Sequence, residues 1–265
     1  MRTQHILFLA LPMAACSLLG QQPTMSCKER SNWTGKGSNN FCEVRETTIA
    51  AIATLNVDGR GNGGVSVKGA NRSDILVRAM VQAQGASDSE ANSLASQVLV
   101  NSSAGMVAAN GPAKGNWSVS YEIFVPTKTN LTLKATNGGV SVAGVESSIE
   151  FHAVNGGISL KDVGGYVHGE TVNGGINLAV SGDKWVGQGV DVATTNGGVS
   201  MNVSERFSAL LDLATVNGGV NVRLPNAPKV VGGKFSGALG SGGPQIRIRT
   251  QNGGVSVGSP TAKKA

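Results

Sequence analysis

The sequence is poor in aromatic and charged residues. Phenylalanine, tyrosine and tryptophan make up 4% of the 265 residues, and the four charged types make up 14%. Large rings dominate thick cores, so this composition favours thin layers of short strands. The formal charge is +6, but the basic residues are scattered and not interleaved with aromatics, which argues against a nucleic-acid-binding protein. The charge predicts only a weak attraction to anionic surfaces of the cell envelope.

Long apolar runs are scarce too. The clearest run, Ile6 to Ala15, is too short to span a bilayer and follows Arg2, which is the order of a secretory signal peptide. It ends in Met13-Ala14-Ala15-Cys16, which resembles a bacterial lipobox, where small residues precede a cysteine that is lipidated after cleavage. We predict a signal peptide over residues 1–15 and lipidation at Cys16, with an ordinary secretory signal as the alternative. Ser17 resembles an outer-membrane sorting residue, so we expect an outer-membrane lipoprotein on the periplasmic or surface face.

Cysteine is equally scarce, with three copies. Once Cys16 is set aside, Cys27 and Cys42 form an even pair in an exported chain, which predicts a disulfide. A ring of about 16 residues stabilises a fold by roughly 3 kcal/mol in the loop-entropy treatment. Here it would fasten a polar tether over residues 16–42. The spacing fits neither a CxxC redox motif nor a zinc cluster.

Glycine, by contrast, is abundant, with 38 copies. Much of it lies in one repeated phrase, Asn-Gly-Gly, followed by alternating apolar and small polar residues. Asparagine tolerates a positive φ and glycine adopts one freely, so the phrase predicts a tight structural turn. The copies begin at Asn62, Asn137, Asn155, Asn173, Asn196, Asn217 and Asn252.

The residues on both sides of each turn alternate in polarity. In six copies, apolar residues (once a glycine) stand both six and four positions before asparagine, and a small residue stands two positions before it. After the turn, Val140-Ser141-Val142 is a typical segment. This alternation predicts strand, turn and strand, each strand with one buried face. In the first copy, Leu55 and Val57 fall one residue early, which predicts a bulge near Gly59-Arg60-Gly61.

The spacing of the turns predicts the architecture. Successive asparagines are 75, 18, 18, 23, 21 and 35 residues apart, and a unit of about twenty residues is typical of a solenoid or strand array. Each Asn-Gly could instead be a hairpin turn in an antiparallel meander. We favour the solenoid, because the copies align in register and their asparagines could form a hydrogen-bonded ladder. The expected fold is all-β, a single-stranded β-helix or solenoid-like stack of short strands.

Outside the regular units, the pattern is mixed. Ser87-Asp88-Ser89-Glu90 is a capping box ahead of apolar residues at helical spacing, which predicts one short helix over 88–97. Further strands are predicted over 49–57, 75–81 and 117–125. We therefore expect a strand-repeat domain over 43–258, followed by a disordered tail over 259–265.

Four features together resemble one bacterial family. They are the lipobox-like signal, the segment Cys42 to Glu46 (CEVRE), the strand Ser118 to Pro126 (SVSYEIFVP) and the Asn-Gly-Gly units. As a set they are similar to the bacterial "putative adhesin" domains of unknown function, also called toast-rack domains, over residues 43–258. The resemblance implies an all-β stack of short strands that is associated with the cell envelope. It implies no catalytic residues.

Stacking in register would create two outward columns, five and three positions before each asparagine. The columns bring two histidines together, each beside a glutamate, on adjacent units: Glu150, His152, His168 and Glu170. Two imidazoles and two carboxylates can bind zinc or another divalent ion. Cross-strand charge pairing on a solvated face is the alternative.

The same columns would place Asp191 beside Asp212 on neighbouring units. Paired carboxylates can serve glycoside hydrolysis, but we expect no basic residue near this pair, and no aromatic platform for a sugar accompanies it. The sequence also has no Ser-His-Asp order, phosphate loop or dinucleotide fingerprint. A polysaccharide-acting β-helix enzyme is therefore an alternative and not the favoured interpretation.

We expect a non-enzymatic, lipid-anchored repeat protein without a cofactor, which binds or scaffolds in the envelope; an envelope-stress sensing domain is a further alternative. Its partners would be the membrane, through the anchor, and an envelope glycan or protein. The final strand, Val255–Val257, could pair with a second copy at an open solenoid end. A flat contact face is offered by an outward column of Ser66, Ser141, Ser159, Asn177, Ser200, Asn221 and Ser256.

Overall fold

The computed structural model describes residues 25–27, 39–225, 227, 230 and 232–259. The predicted signal peptide, Cys16, most of the tether and most of the tail lie outside these residues. The described residues form twenty strands and one helix. In chain order they are β1 Asn39–Ala50, β2 Thr54–Asp58, β3 Val65–Ala70, β4 Asp74–Gly85, α1 Asp88–Ser96, β5 Leu99–Ser103, β6 Met106–Asn110, β7 Asn116–Pro126, β8 Asn130–Asn137, β9 Val140–Ala143, β10 Ile149–Asn155, β11 Ile158–Lys161, β12 Tyr166–Asn173, β13 Ile176–Ala179, β14 Gly189–Asn196, β15 Val199–Asn202, β16 Ala209–Asn217, β17 Val220–Arg223, β18 Lys234–Leu239, β19 Gln245–Asn252 and β20 Val255–Gly258.

The strands form two ten-stranded sheets. Sheet A has the order β1-β4-β7-β3-β9-β11-β13-β15-β20-β17, and sheet B has the order β18-β16-β19-β14-β12-β10-β8-β2-β6-β5. Each repeat unit gives one strand to each sheet, and its Asn-Gly-Gly turn joins the two. Equivalent strands pair in parallel and in register, so that Ile149 lies between Leu131 and Val167. The predicted solenoid is confirmed and the meander is wrong.

The core lies between the two sheets. In β10, for example, Ile149, Phe151 and Ala153 are buried, whereas Glu150 and His152 are exposed. The small residue two places before asparagine has a specific role wherever it is threonine, because its buried hydroxyl donates to a glycine carbonyl of the neighbouring unit. Four such bonds run from Thr171, Thr194, Thr215 and Thr250 to Gly156, Gly174, Gly253 and Gly197, at 2.7–2.9 Å.

The predicted asparagine ladder is present. Each side-chain amide donates to the carbonyl oxygen of the next asparagine, as Asn155 does to Asn137 at 2.8 Å. The six bonds run in one direction, from Asn217 through Asn252, Asn196, Asn173, Asn155 and Asn137 to Asn62. The exposed turns are therefore tied together along the whole stack.

The predicted bulge in the first unit is confirmed. Asp58 lies opposite Lys134 and Asn62 lies opposite Asn137, so the first unit has one more residue than its neighbour between these pairs. Arg60 occupies this segment with a positive φ of 53°. The extra residue absorbs the shift in phase and returns the turn to register.

The order of the last units differs from the order in the sequence. β19 pairs with both β14 and β16, and β20 pairs with both β15 and β17. The final unit is thus inserted between two earlier ones, while β18 pairs antiparallel with the outer side of β16. The prediction that Val255–Val257 forms an open end is wrong, since β17 lies at the edge of sheet A.

The N-terminal end of sheet A is built from longer strands. β1, β4 and β7 pair antiparallel, and α1 packs against β4 and β1. The predicted helix is confirmed, with the Ser87 hydroxyl accepting from the Glu90 amide at 3.2 Å. The single strand predicted over 49–57 is wrong, because β1 ends in sheet A at Ala50 and β2 begins in sheet B at Thr54.

The predicted disulfide between Cys27 and Cys42 is present, with a Cα–Cα distance of 5.8 Å. Cys42 lies within β1, which begins at Asn39, inside the predicted tether. The disulfide therefore fastens the N-terminal segment directly to sheet A. Within the described residues, no helix has the length and apolarity that crossing a bilayer requires.

Candidate functional site

A polar groove lies where β4 and β7 extend past the turns of the first two units. β3 begins at Val65, opposite Tyr121, whereas β7 already begins at Asn116. The overhang forms a wall beside the turns and encloses a groove of about 740 Å³. We call it the Trp117 groove and define it by Asn62, Gln82, Asn116, Trp117, Ser118 and Ser120.

Glycine backbone forms part of the groove lining. A Cβ added at Gly63 would lie 1.8 Å from the Val119 carbonyl oxygen, and one added at Gly138 would lie 2.2 Å from the Gly63 carbonyl oxygen. Only glycine permits this close approach of turn and strand. The Gly64 amide donates to the Ser120 hydroxyl at 3.4 Å, which joins the turn to β7.

The wall of the groove carries neutral amides and hydroxyls. Gln82 lies opposite Ser118 and Gln84 opposite Asn116 across the β4–β7 pair, and the Asn116 amide donates to Gln84 Oε1 at 3.5 Å. Gln82 is 7% exposed. No described residue forms a hydrogen bond with the side-chain amide of Gln82.

Trp117 is half-buried and held in place at this wall. Its Nε1–H donates to the Pro112 carbonyl oxygen at 2.9 Å, and its ring packs close to Gly111, where an added Cβ would lie 2.7 Å from Cε2. Trp117 also lines an adjoining pocket of about 310 Å³. Trp117 therefore lies at the border of both depressions.

The electrostatics of the groove are simple. None of its described lining residues is charged. Arg60 lines the adjoining pocket, where its side chain pairs with Asp58 at 3.6 Å and donates to Asn110 Oδ1 at 3.1 Å. The larger depression therefore offers hydrogen-bonding groups without net charge.

The predicted metal ligands lie on adjacent strands of sheet B. Glu150 is opposite His168 and His152 is opposite Glu170, and the His152 Nδ1 lies 3.2 Å from Glu170 Oε1. His168 instead stacks with Tyr166, with ring centroids 6.2 Å apart. The described part of the chain contains no group of three or more His, Cys, Asp or Glu residues placed to hold a metal ion. The geometry supports cross-strand pairing, here of His152 with Glu170, the alternative interpretation.

The predicted pairing of Asp191 with Asp212 is wrong. Because β19 is inserted between β14 and β16, Arg247 lies between the two aspartates. Arg247 is 3.4 Å from Asp191 and 3.2 Å from Asp212, and Arg249 also contacts Asp212 at 3.1 Å. The hydrogen bond to Asp212 and the charge of Asp191 raise the pKa of Arg247 above its ordinary value. Direct stacking would have placed like charges opposite each other, which is destabilising.

A second polar cluster holds the N-terminal segment on sheet A. Glu122 lies on the outer face of β7 but is only 4% exposed. Its carboxylate accepts from the Met25 backbone amide at 3.1 Å and from Lys68 Nζ at 2.8 Å, and Arg78 lies 3.5 Å away. Lys68 and Arg78 both lie over the Phe124 ring, at 5.4 and 5.6 Å from its centroid. We call this cluster the Glu122 clamp.

The Glu122 clamp predicts a pH-dependent stability. Burial alone would raise the pKa of Glu122, but the hydrogen bonds from Lys68 and Met25 and the charges of Lys68 and Arg78 together lower it below 4.5. A lowered folded-state pKa stabilises the fold above the unfolded-state pKa, and this stabilisation is lost as the pH falls through the folded-state value.

Glu122→Gln is therefore expected to reduce the free energy of unfolding by about 2 kcal/mol at pH 7, because it removes charge-assisted hydrogen bonds. The difference from wild type should shrink as the pH falls from the ordinary value of 4.5 through the lowered folded-state pKa of Glu122. Thermal unfolding of both proteins from pH 3 to 7 measures this. Glu146→Gln, which removes an exposed ion pair with Lys128, is the matched control. A stability difference between wild type and Glu122→Gln that does not change with pH would contradict the prediction.

A protein-family comparison matches most of the chain. The sequence profile described as Toastrack DUF4097 matches residues 27–258. The chain belongs to the toast-rack family. A comparison with curated protein sequences gave no match.

Several solved structures are similar to this toast-rack chain. One, named "putative cell adhesion protein", is from Clostridium sporogenes; it is 12% identical, with a TM-score of 0.46, and the match covers 81% of this chain and 99% of that one. A "putative adhesin" from Bacteroides fragilis is 10% identical, with a TM-score of 0.34, over 82% and 97% of the two chains. A "putative lipid binding protein" from Parabacteroides distasonis is 10% identical, with a TM-score of 0.33, over 82% and 96%.

The toast-rack fold brings together residues that the sequence did not single out. Gln82 and Ser118 are far apart in the chain and lie opposite each other only because β4 and β7 pair. A partial signal was present, since the strand that carries the family resemblance begins at Ser118. The predicted column of small polar residues lies on the outer face of sheet A, with Ser256 between Ser200 and Asn221.

Proposed function

We propose that this toast-rack protein is a non-enzymatic binding module, held at the cell envelope by a lipid on Cys16 and displayed from the outer membrane. The Trp117 groove is the observation that carries the proposal. It is lined by neutral amides and hydroxyls and lies on a scaffold of two stacked sheets. Ligand sites are typically such preformed depressions, in which a few placed polar groups give specificity.

The Glu122 clamp supports the anchoring part of the proposal. It holds Met25 on sheet A, and the disulfide holds Cys27 two residues later. Eight residues lie between Cys16 and Met25, and the nine Cα–Cα steps of such a chain span at most roughly 30 Å. A lipid on Cys16 would thus keep the domain close to the membrane, with sheet A attached by its N-terminal end.

The arrangement on sheet B favours binding over polysaccharide cleavage. Glycosidases place two carboxyl groups on either side of the scissile bond. Here Arg247 occupies the space between Asp191 and Asp212 and pairs with both. Asp191 and Asp212, which prompted the enzymatic alternative, are therefore already held in ion pairs with Arg247.

The anchor is tested in a bacterial host that is fed labelled palmitate. We expect wild type to incorporate the label and to fractionate with outer membranes, and Cys16→Ala to do neither. The double variant Cys27→Ser/Cys42→Ser is the matched control, because it removes the other two cysteines and should keep the label. Labelling of Cys16→Ala, or wild type found only in the soluble fraction, would contradict the anchor.

The binding role is tested with the full chain carrying Cys16→Ala, screened against immobilised envelope glycans and envelope proteins. A parallel assay follows the release of reducing ends from the same glycans. Specific retention without release supports a binding module. Release of reducing ends, or no retention by any envelope component, would overturn it.

A further inference from the structure

Each Asn-Gly-Gly turn inside the stack is held by two hydrogen bonds to the next unit. The asparagine side-chain oxygen receives one from the next asparagine, as Asn155 Oδ1 receives from Asn173 at 2.8 Å. The amide of the first glycine donates the other to the carbonyl oxygen of that same asparagine, as Gly156 donates to Asn173 at 3.1 Å. The second bond recurs, at 3.0–3.1 Å, from Gly138, Gly174, Gly197 and Gly253.

The turn at Asn217 lacks both bonds, because its unit is the last of the stack. Asn217 donates to Asn252 Oδ1 at 2.8 Å. Among the described residues, however, nothing donates to the Asn217 Oδ1 and nothing accepts from the Gly218 amide. Gly218 is exposed, whereas the first glycine of each of the other six turns is buried or partly buried. Both groups are therefore open to solvent at this end of the ladder.

These two groups are the ones that react when an asparagine loses its amide. The backbone nitrogen of the following residue attacks the asparagine Cγ and forms an N–Cγ bond. The Cγ–Nδ2 bond breaks, and the backbone amide proton leaves with the NH₂ group as ammonia. Water then opens the resulting succinimide ring at either carbonyl, which gives aspartate or isoaspartate. A following glycine favours the attack because no Cβ crowds its nitrogen, but the side chain must still turn until Cγ meets that nitrogen.

The hydrogen bonds of the interior turns oppose this movement. The glycine N–H points at the neighbouring carbonyl and the asparagine oxygen is fixed by the neighbouring amide, so Cγ reaches the nitrogen only if both bonds break. At the other end of the ladder, Asn62 Oδ1 keeps the bond from Asn137, at 3.1 Å, and Gly63 is buried. Asn217 has only its own bond to Asn252 to break.

We propose that Asn217 is the deamidation site of the stack, and that the other six ladder asparagines stay intact while the protein is folded. The product changes the end of the ladder, because a carboxylate at position 217 cannot donate to Asn252 Oδ1 and isoaspartate lengthens the main chain of the turn. The last turn would therefore lose its tie to the neighbouring unit. The sequence has one further Asn-Gly pair, Asn110-Gly111, which lies outside the ladder and whose Oδ1 accepts from Arg60.

The sequence supplies a matched control. Residues 171–175 and 215–219 both read Thr-Val-Asn-Gly-Gly, so Asn173 and Asn217 share their local sequence and differ in their place in the stack. The full chain carrying Cys16→Ala is incubated in mildly alkaline buffer, either folded or in concentrated urea, and is then digested with trypsin. Mass spectrometry measures the conversion of each amide to a carboxylate.

In the folded protein, we expect Asn217 to convert at least about tenfold faster than Asn173, because the interior turn is held away from the reactive geometry. In urea, the two should convert at the same rate. Equal rates in the folded protein, or faster conversion at any other ladder asparagine, would overturn the proposal. Unequal rates in urea would place the cause in the sequence and would overturn it too.

Variants give a second readout, the acidic species that the folded chain accumulates on ion-exchange chromatography. Asn217→Gln should remove the main acidic species, because the longer side chain closes the corresponding ring far more slowly. Asn173→Gln changes the matched asparagine and should leave that species in place. Thermal unfolding identifies a variant that fails to fold, in which case the comparison of Asn217 with Asn173 in the parent chain decides. Persistence of the main acidic species in folded Asn217→Gln would refute the assignment.

Discussion

Gly156→Ala is expected to lower the free energy of unfolding by about 3 kcal/mol or more, at the upper end of what overpacking costs. In this turn, an added Cβ would lie 2.1 Å from the Gly138 carbonyl oxygen and 2.5 Å from its carbonyl carbon. Both atoms belong to the backbone of the preceding unit, so no rotamer change can relieve the clash. The same 2.1 Å distance recurs at Gly174 and Gly197. The close approach is therefore a property of the stack.

The same turn offers its own control. A Cβ added at Gly157 would lie 3.5 Å from the Gly175 carbonyl oxygen, which is an ordinary van der Waals contact. Gly157→Ala should therefore change the free energy of unfolding by less than about 1 kcal/mol. For a domain of this size, 3 kcal/mol corresponds to a fall in Tm of roughly 6–12 °C. Thermal unfolding measures both variants, and equal Tm values would show that the first glycine is not required by the spacing of the stack.

Phe151→Ala is expected to cost about 3–5 kcal/mol, as truncations of buried phenylalanine do. Phe151 is 1% exposed and lies between Leu133 and Gly169 of the neighbouring units. A Cβ added at Gly169 would lie 2.7 Å from the Phe151 ring, so the ring occupies space that the glycine leaves open. Truncation to alanine empties this space, and the in-register strands on either side limit collapse.

Phe151→Leu and Leu210→Ala are the controls. Leucine already occupies the equivalent place in the preceding unit, at Leu133, and Phe151→Leu should cost about 1.5 kcal/mol because most of the apolar volume is kept. Leu210 is 47% exposed, so its truncation should have an effect of about 0.5 kcal/mol or less. Denaturant unfolding of the three variants gives the free energies. If Phe151→Ala and Phe151→Leu were equally destabilising, the ring would not be filling the space beside Gly169.

The sequence revealed the features of the turn in part. The Asn-Gly-Gly phrase predicted a turn, but the reason for its first glycine is the carbonyl of the neighbouring unit, which only stacking brings close. The small residue two places before asparagine was also visible in the sequence. Where this residue is threonine, the sequence did not reveal its hydrogen bond to the first glycine of the adjacent unit, as from Thr171 to Gly156. This bond joins two units that are distant along the chain.

The sequence by itself determined the features that depend on neighbours along the chain. Period-two alternation determined which residues of each unit are buried, and the recurrence of the Asn-Gly-Gly phrase determined the register and the asparagine ladder. The phase slip determined the bulge near Arg60, the capping box determined α1, and the even pair of cysteines determined the disulfide. Each of these features depends on local backbone preference, on repetition or on residue counting.

The tertiary structure alone decided which units are neighbours and which side chains come together at the N-terminal end. Units that share one register can exchange places without changing any local pattern, so alternation cannot order them; the ion pairs of Arg247 with Asp191 and Asp212 exist only in the inserted order. The Trp117 groove and the Glu122 clamp depend on pairings between distant segments, such as Gln82 with Ser118 and Met25 with Glu122. Such contacts are set by the packing of the whole chain, which no local pattern records.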